Sequence, residues 1–109
     1  MQIIWNRDKL TTAIVKAELD SYFTRPDEID MRLIQFDSGE HISFEGEEME
    51  HMYFIIEGRI RIYSFSEEGG QFTISYVYAP EFLGDVEFAA GVTIQNNVEA
   101  VTRVIALQI

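Results

Sequence analysis

Apolar residues recur at helical spacing in the first part of the chain. Leu10, Ala13, Ile14 and Ala17 fall on one face, widened by Val15, Leu19, Tyr22 and Phe23, which predicts a helix from Asn6 to Phe23. Asn6 or Asp8 is placed to cap its start. Arg25-Pro26-Asp27 is placed to end it, because proline disfavours helical backbone in the residue before it. From Met31 onward the period drops to two. Leu33-Ile34-Gln35-Phe36 precedes a turn at Asp37-Ser38-Gly39-Glu40, and His41-Ile42-Ser43-Phe44 reads as a short strand running into Glu45-Gly46-Glu47-Glu48. The apolar run Met52 to Ile56 is closed by Glu57-Gly58. Arg59 to Phe65 then alternates cleanly, with Ile60 and Ile62 on one face and Arg59 and Arg61 on the other. Glu67-Glu68-Gly69-Gly70 signals a hairpin. In the returning strand Phe72, Ile74, Tyr76 and Tyr78 share a face, opposite Thr73, Ser75 and Val77. After a loop at Ala79-Pro80-Glu81 and the segment Phe82-Leu83-Gly84-Asp85, one last strand is expected from Val98 to Ile109, with Val101, Ile105, Leu107 and Ile109 on one side.

Short strands punctuated by glycine turns, with little helix after residue 30, predict a mainly β fold: an antiparallel double-stranded β-helix or jelly roll with an N-terminal helix. Residues 1–30 read as a helical lead-in and 31–109 as the roll. Leu107-Gln108-Ile109 stops in mid-strand, so the chain is expected to be the front part of a longer protein.

Composition narrows the function. The chain has 109 residues and 47% hydrophobic content, enough to bury a core. Its longest apolar run, Met52 to Ile56, is far shorter than the roughly 20 residues a membrane helix needs. No secretory signal pattern opens the chain, and a cytoplasmic location is expected. The absence of cysteine excludes disulfides, thiolate metal sites and cysteine nucleophiles. Eight Lys and Arg against nineteen Asp and Glu give a net charge of −11. Such a surface repels nucleic-acid phosphates and acidic membranes, so the segment by itself is not a nucleic-acid reader.

Gly39-Glu40, the string Tyr53-Phe54-Ile55-Ile56-Glu57-Gly58-Arg59-Ile60-Arg61-Ile62, Glu68-Gly69-Gly70 and Phe82-Leu83-Gly84-Asp85 occur in a fixed order. Together they resemble the cyclic-nucleotide-binding β-roll of the Crp/Fnr family of bacterial transcription regulators, from about Leu33 to Ile109. The resemblance implies a small-molecule sensor, followed in the family by a dimerisation helix and a DNA-reading helix-turn-helix that would lie beyond Ile109. DNA and a homodimer are therefore expected partners of the longer protein only.

The resemblance also implies a ligand cassette. Gly84 holds the family's glycine place, where backbone N–H groups at a helix start cradle the cyclic phosphate. Asp85 holds the place of the ribose-binding acid, one methylene shorter than the usual Glu. The family's phosphate-pairing arginine is missing, because Gly91 to Val98 contains no cation and the next is Arg103. Loss of such a partner typically costs about 2–5 kcal/mol, so cyclic AMP and cyclic GMP are not expected to bind usefully. The degenerate cassette comprises Gly84, Asp85, Val86, Glu87, Asn96 and Asn97. Asn96-Asn97 offer donors and acceptors to a neutral polar ligand, or form a plain turn. Glu87 reads as a helix-start residue. Arg59 and Arg61 are expected to face solvent.

His41 and His51 are the only histidines, and His41 with Glu45 imitates two ligands of a cupin-like metalloenzyme. No H-x-H pair occurs, so surface histidines are the better reading and no metal or other cofactor is expected. The acidic stretch Asp37, Glu40, Glu45, Glu47, Glu48 and Glu50 lacks calcium-loop spacing and reads as a solvated loop edge. The expected function is ligand sensing without catalysis. A cupin-like enzyme, or a regulatory module acting without DNA, stands as the alternative.

Overall fold

Alternating residues place one set of side chains on each face of a strand, and a short strand at Gln2–Ile3 with those after residue 31 assembles into two antiparallel sheets around a shared core. The computed structural model describes residues 1–16 and 31–109. The first sheet has five strands in the order β1 (Gln2–Ile3), β2 (Arg32–Phe36), β9 (Val104–Gln108), β4 (Tyr53–Glu57) and β7 (Glu81–Leu83). The second has four, in the order β3 (His41–Ser43), β8 (Asn97–Ala100), β5 (Arg59–Phe65) and β6 (Gln71–Tyr78). Two helices, α1 (Arg7–Lys16) and α2 (Asp85–Ala90), complete the described fold. The expected β-roll with an N-terminal helix is what the chain forms.

Both sheets supply the core. Ile34, Phe36, Ile55, Val104 and Ala106 from the first meet Ile60, Val98 and Ala100 from the second. Burying each large side chain of this set stabilises the fold by about 1.5–3 kcal/mol. The first sheet is covered on its other face as well, where Leu33, Phe54 and Leu107 pack with Ala13 of α1. Asn6 caps that helix by accepting a hydrogen bond from the backbone N–H of Lys9 at 3.0 Å. The expected extension of the helix to Phe23 and its stop at Arg25-Pro26-Asp27 lie outside the described residues.

The single last strand expected from Val98 to Ile109 is instead two strands in different sheets. Val98 and Ala100 face the core from β8, whereas Val104 and Ala106 face it from β9. Val101-Thr102-Arg103 form the corner between them. This corner locks onto the turn between β4 and β5: Val101 N–H donates to the Arg59 carbonyl at 2.9 Å, and Arg59 N–H donates to Thr102 Oγ1 at 3.1 Å. Gly58 makes the crossing possible. Its φ of 107° is left-handed, and a Cβ there would strike the Arg103 carbonyl and lie 3.0 Å from Val104 Cα.

The shared face expected for Phe72, Ile74, Tyr76 and Tyr78 is broken by a bulge. Ile62 pairs with Ser75 and Tyr63 with Thr73, which leaves Ile74 without an opposite residue. Beyond it Val77 turns toward the core, while Tyr76 and Tyr78 pair with Arg61 and Arg59 on the outer face.

Candidate functional site

A cavity of about 310 Å³ opens between the sheets near Gly84, within the range of small-molecule sites. Its apolar wall comes from Ile42, Ile62, Leu83, Ile94 and Val98, side chains of strands and of the loop before β8. Its polar wall comes from Ser43, Tyr53, His51 and Asn96, together with Glu47, Glu48, Glu50 and Glu87. Among the described residues no lysine or arginine lines it.

The roof is the loop after β3, and hydrogen bonds hold it in place. Gly46 N–H donates to the Ile94 carbonyl at 2.8 Å, and Ile94 N–H donates to the Glu47 carbonyl at 3.0 Å. Asn97 fixes the same loop by accepting from Glu45 N–H at 3.1 Å, while its Nδ2 reaches the Tyr63 carbonyl at 3.5 Å. Asn97 is buried, as these bonds require. Of the pair expected to line a pocket or form a turn, Asn96 lines the cavity and Asn97 is a structural clamp that opens β8.

Gly84 sits before the start of α2 with φ 87°, and Asp85 is the first residue of that helix. The side chain of Met49 packs directly onto Gly84, since a Cβ there would lie 2.7 Å from Met49 Cε. Gly84 and Glu87 both line the cavity. Asp85 is exposed and does not line it, and Val86 contributes its backbone to α2. Glu87 lies in the first turn of α2, as expected.

Tyr53 lies at the floor, with its ring edge-on to Phe36 at 5.7 Å and its hydroxyl accepting from Gln108 Nε2 at 3.0 Å. Burial pushes its hydroxyl pKa up; the Gln108 bond pulls it back, and the nearby charge of Glu50 adds to the rise.

Of the other candidate residues, Arg59, Arg61 and His41 fall outside the cavity. Arg59 and Arg61 lie on the outer face of the second sheet but are not simply solvated. The Arg61 guanidinium stacks 4.2 Å from the Tyr63 ring, and Arg61 Nη2 donates to Gln71 Oε1 at 2.6 Å. Arg59 lies 5.8 Å from the rings of both Tyr76 and Tyr78. His41 is half-buried rather than a surface residue, stacked on Phe44 at 4.6 Å and 2.6 Å from the Tyr63 hydroxyl. His51 is exposed at the cavity mouth. No three His, Asp or Glu side chains among the described residues are arranged to hold a metal ion.

The acidic loop is where the structure adds most. Glu47, Glu48 and Glu50 are exposed, in keeping with the expected solvated edge, and they also border the cavity, with the half-buried Met49 between them. The available signal was a glycine-centred acidic run directly after a strand, without one cation between Arg32 and Arg59.

Residues 33–109 match the sequence pattern of the cyclic nucleotide-binding domain. The chain belongs to that family. Solved structures of similar shape agree with this cyclic nucleotide-binding domain in fold. The N-terminal domain of a transcriptional regulator from Streptomyces coelicolor A3(2) is 20% identical with a TM-score of 0.67, over 72% of this chain and 55% of that one. The regulatory subunit of a cAMP-independent protein kinase A from Trypanosoma cruzi, bound to guanosine, is 24% identical with a TM-score of 0.67, over 90% of this chain and 40% of that one. An EAL enzyme in its cAMP-bound form is 18% identical with a TM-score of 0.66, over 71% of this chain and 21% of that one. The domain thus spans between about a fifth and just over half of these structures. No curated protein matches the chain. No helix among the described residues is long and apolar enough to cross a membrane.

Proposed function

We propose that this domain is the sensor of a Crp/Fnr-type transcription regulator, and that its cavity takes a small molecule without a phosphate rather than cyclic AMP. The observation that carries the ligand reading is the cavity wall: four glutamates, with no lysine or arginine among the described lining residues. An anionic phosphate placed there gains no charged partner and meets like charges, whose repulsion is moderated by water because Glu47, Glu48 and Glu50 are exposed. Met49 adds a movable obstacle, because the flexible end of its side chain packs on Gly84, in the corner that the family resemblance assigns to the phosphate.

What remains suits a neutral or cationic ligand. Ile42, Ile62 and Leu83 offer apolar contact to a ring, while Asn96 and Ser43 offer both donors and acceptors. A nucleoside has this chemistry, and the fold neighbour bound to guanosine makes that compound the natural first probe. Catalysis is not part of this reading, and neither is a resident cofactor.

Ligand binding would act by shifting a two-state equilibrium, limited by the difference in affinity for the two states. The DNA-binding half of the proposal rests on the sequence resemblance and on the regulator domain among the fold neighbours. On this reading the protein is cytoplasmic, with DNA as partner of a segment following residue 109. Reading the gene tests this half: a helix-turn-helix within the next hundred or so residues would support it, and none would overturn it.

Isothermal titration of the domain with guanosine, adenosine, cyclic AMP and cyclic GMP tests the ligand reading. Saturable binding of a nucleoside with no heat from either cyclic nucleotide is the expected result. Micromolar binding of cyclic AMP or cyclic GMP overturns it.

A further inference from the structure

Strand β6 is the open edge of the second sheet, paired with β5 on one side and with no described strand on the other. An edge strand presents a row of unpaired backbone donors and acceptors, and natural proteins blunt it with lysine, proline, short length or a bulge. β6 has none of the first three. It runs for eight residues, Gln71 to Tyr78, with no charged residue and no proline, in a chain where 25% of residues are charged. Its one irregularity is the bulge at Ile74. The hairpin also leaves its apolar side chains uncovered: Phe65 and Phe72 are 50% exposed, Ile74 52%, Tyr76 53% and Tyr78 64%.

We propose that β6 pairs antiparallel with β6 of a second copy of this chain, joining the two second sheets across a two-fold axis. Charge selects both the occupant and the direction. Two copies carrying −11 each repel over most of their surfaces, so self-association needs a neutral face, and β6 supplies one. The acidic tip of the hairpin, Glu67 and Glu68, directly precedes the turn into Gln71, at one end of the strand. At the other end Tyr78 pairs with Arg59, whose guanidinium leans over the Tyr76 and Tyr78 rings toward the open edge. Antiparallel pairing brings the acidic tip of each copy beside Arg59 of the other. Parallel pairing would set the two acidic tips together. An isologous contact of this kind closes on itself and stops at a dimer.

Sedimentation equilibrium of the 109-residue chain tests the proposal, with circular dichroism melts to confirm folding. The wild type is expected to dimerise with concentration. Thr73→Lys with Ser75→Lys, both at exposed positions, is expected to weaken the dimer at least about tenfold by setting like charges against each other across the new pairing. Arg59→Glu is expected to weaken it as well, and adding Glu67→Arg and Glu68→Arg to restore it. This charge exchange decides the matter if the lysine variant fails to fold. A chain that stays monomeric, a dimer indifferent to the edge lysines, or a charge exchange without rescue overturns the proposal. Capture of an extended peptide from another protein by a monomeric chain would count among those contrary results.

Discussion

Tyr53 combines three roles in one side chain: its ring packs edge-on to Phe36, its hydroxyl pairs with Gln108, and its edge lines the cavity. Its raised pKa has a consequence for stability. Below the ordinary value of 10.0 the folded and unfolded chains both hold the proton. Above it the unfolded chain releases the proton first, so the stability linked to the neutral hydroxyl is lost as pH rises from there through the folded-state value. Urea unfolding of the wild type and Tyr53→Phe should therefore differ by a constant amount up to about pH 10, with the wild type falling more steeply beyond it. At this scale the sequence was partly legible. Gly84 is marked by an ordered set of motifs, and it borders the cavity. Met49 and the glutamates beside it carry no periodic signal, and their role exists only because Gly46 and Ile94 bond the loop back over the cavity.

Among the elements, the two corners of the roll carry the most specific demands. Gly58→Ala should destabilise the domain by about 2–4 kcal/mol, since left-handed strain adds to collision with the corner at Arg103 and Val104. Gly46→Ala is the control: its φ is also left-handed at 87°, yet a Cβ there meets nothing within 4 Å, so about 1–2 kcal/mol is expected. Denaturant midpoints of the two variants separate collision from backbone strain. Asn97→Ala should cost about 1–3 kcal/mol by leaving the Glu45 N–H without its acceptor. It should also speed amide exchange at Gly46 and Ile94, the bonds that hold the roof. Strand positions were legible because period two survives in every strand with one buried face. The split between β8 and β9 was not, since Val104 and Ala106 keep the parity of Val98 and Ala100 across a corner that no glycine or proline marks. The face shared by Tyr76 and Tyr78 does not continue through Ile74 to Phe72 for a related reason: a bulge shifts the pairing without leaving any trace in the residue pattern.

At the scale of the whole molecule, the positions of the last two strands govern how the fold can be made. β9 lies between β2 and β4 in one sheet, and β8 lies between β3 and β5 in the other. Without them the first sheet falls into the pairs β1–β2 and β4–β7, and the second keeps only the β5–β6 hairpin. Such two-stranded fragments are marginal at best in water. A chain cut after residue 96 should therefore show the circular dichroism of an unfolded polypeptide and no cooperative melt. For a nascent chain emerging from the ribosome, nearly the whole sequence must be outside the exit tunnel before either half of the roll can close. Until then its apolar strands have only solvent or chaperones for company, which makes synthesis itself the most aggregation-prone moment in the life of this domain.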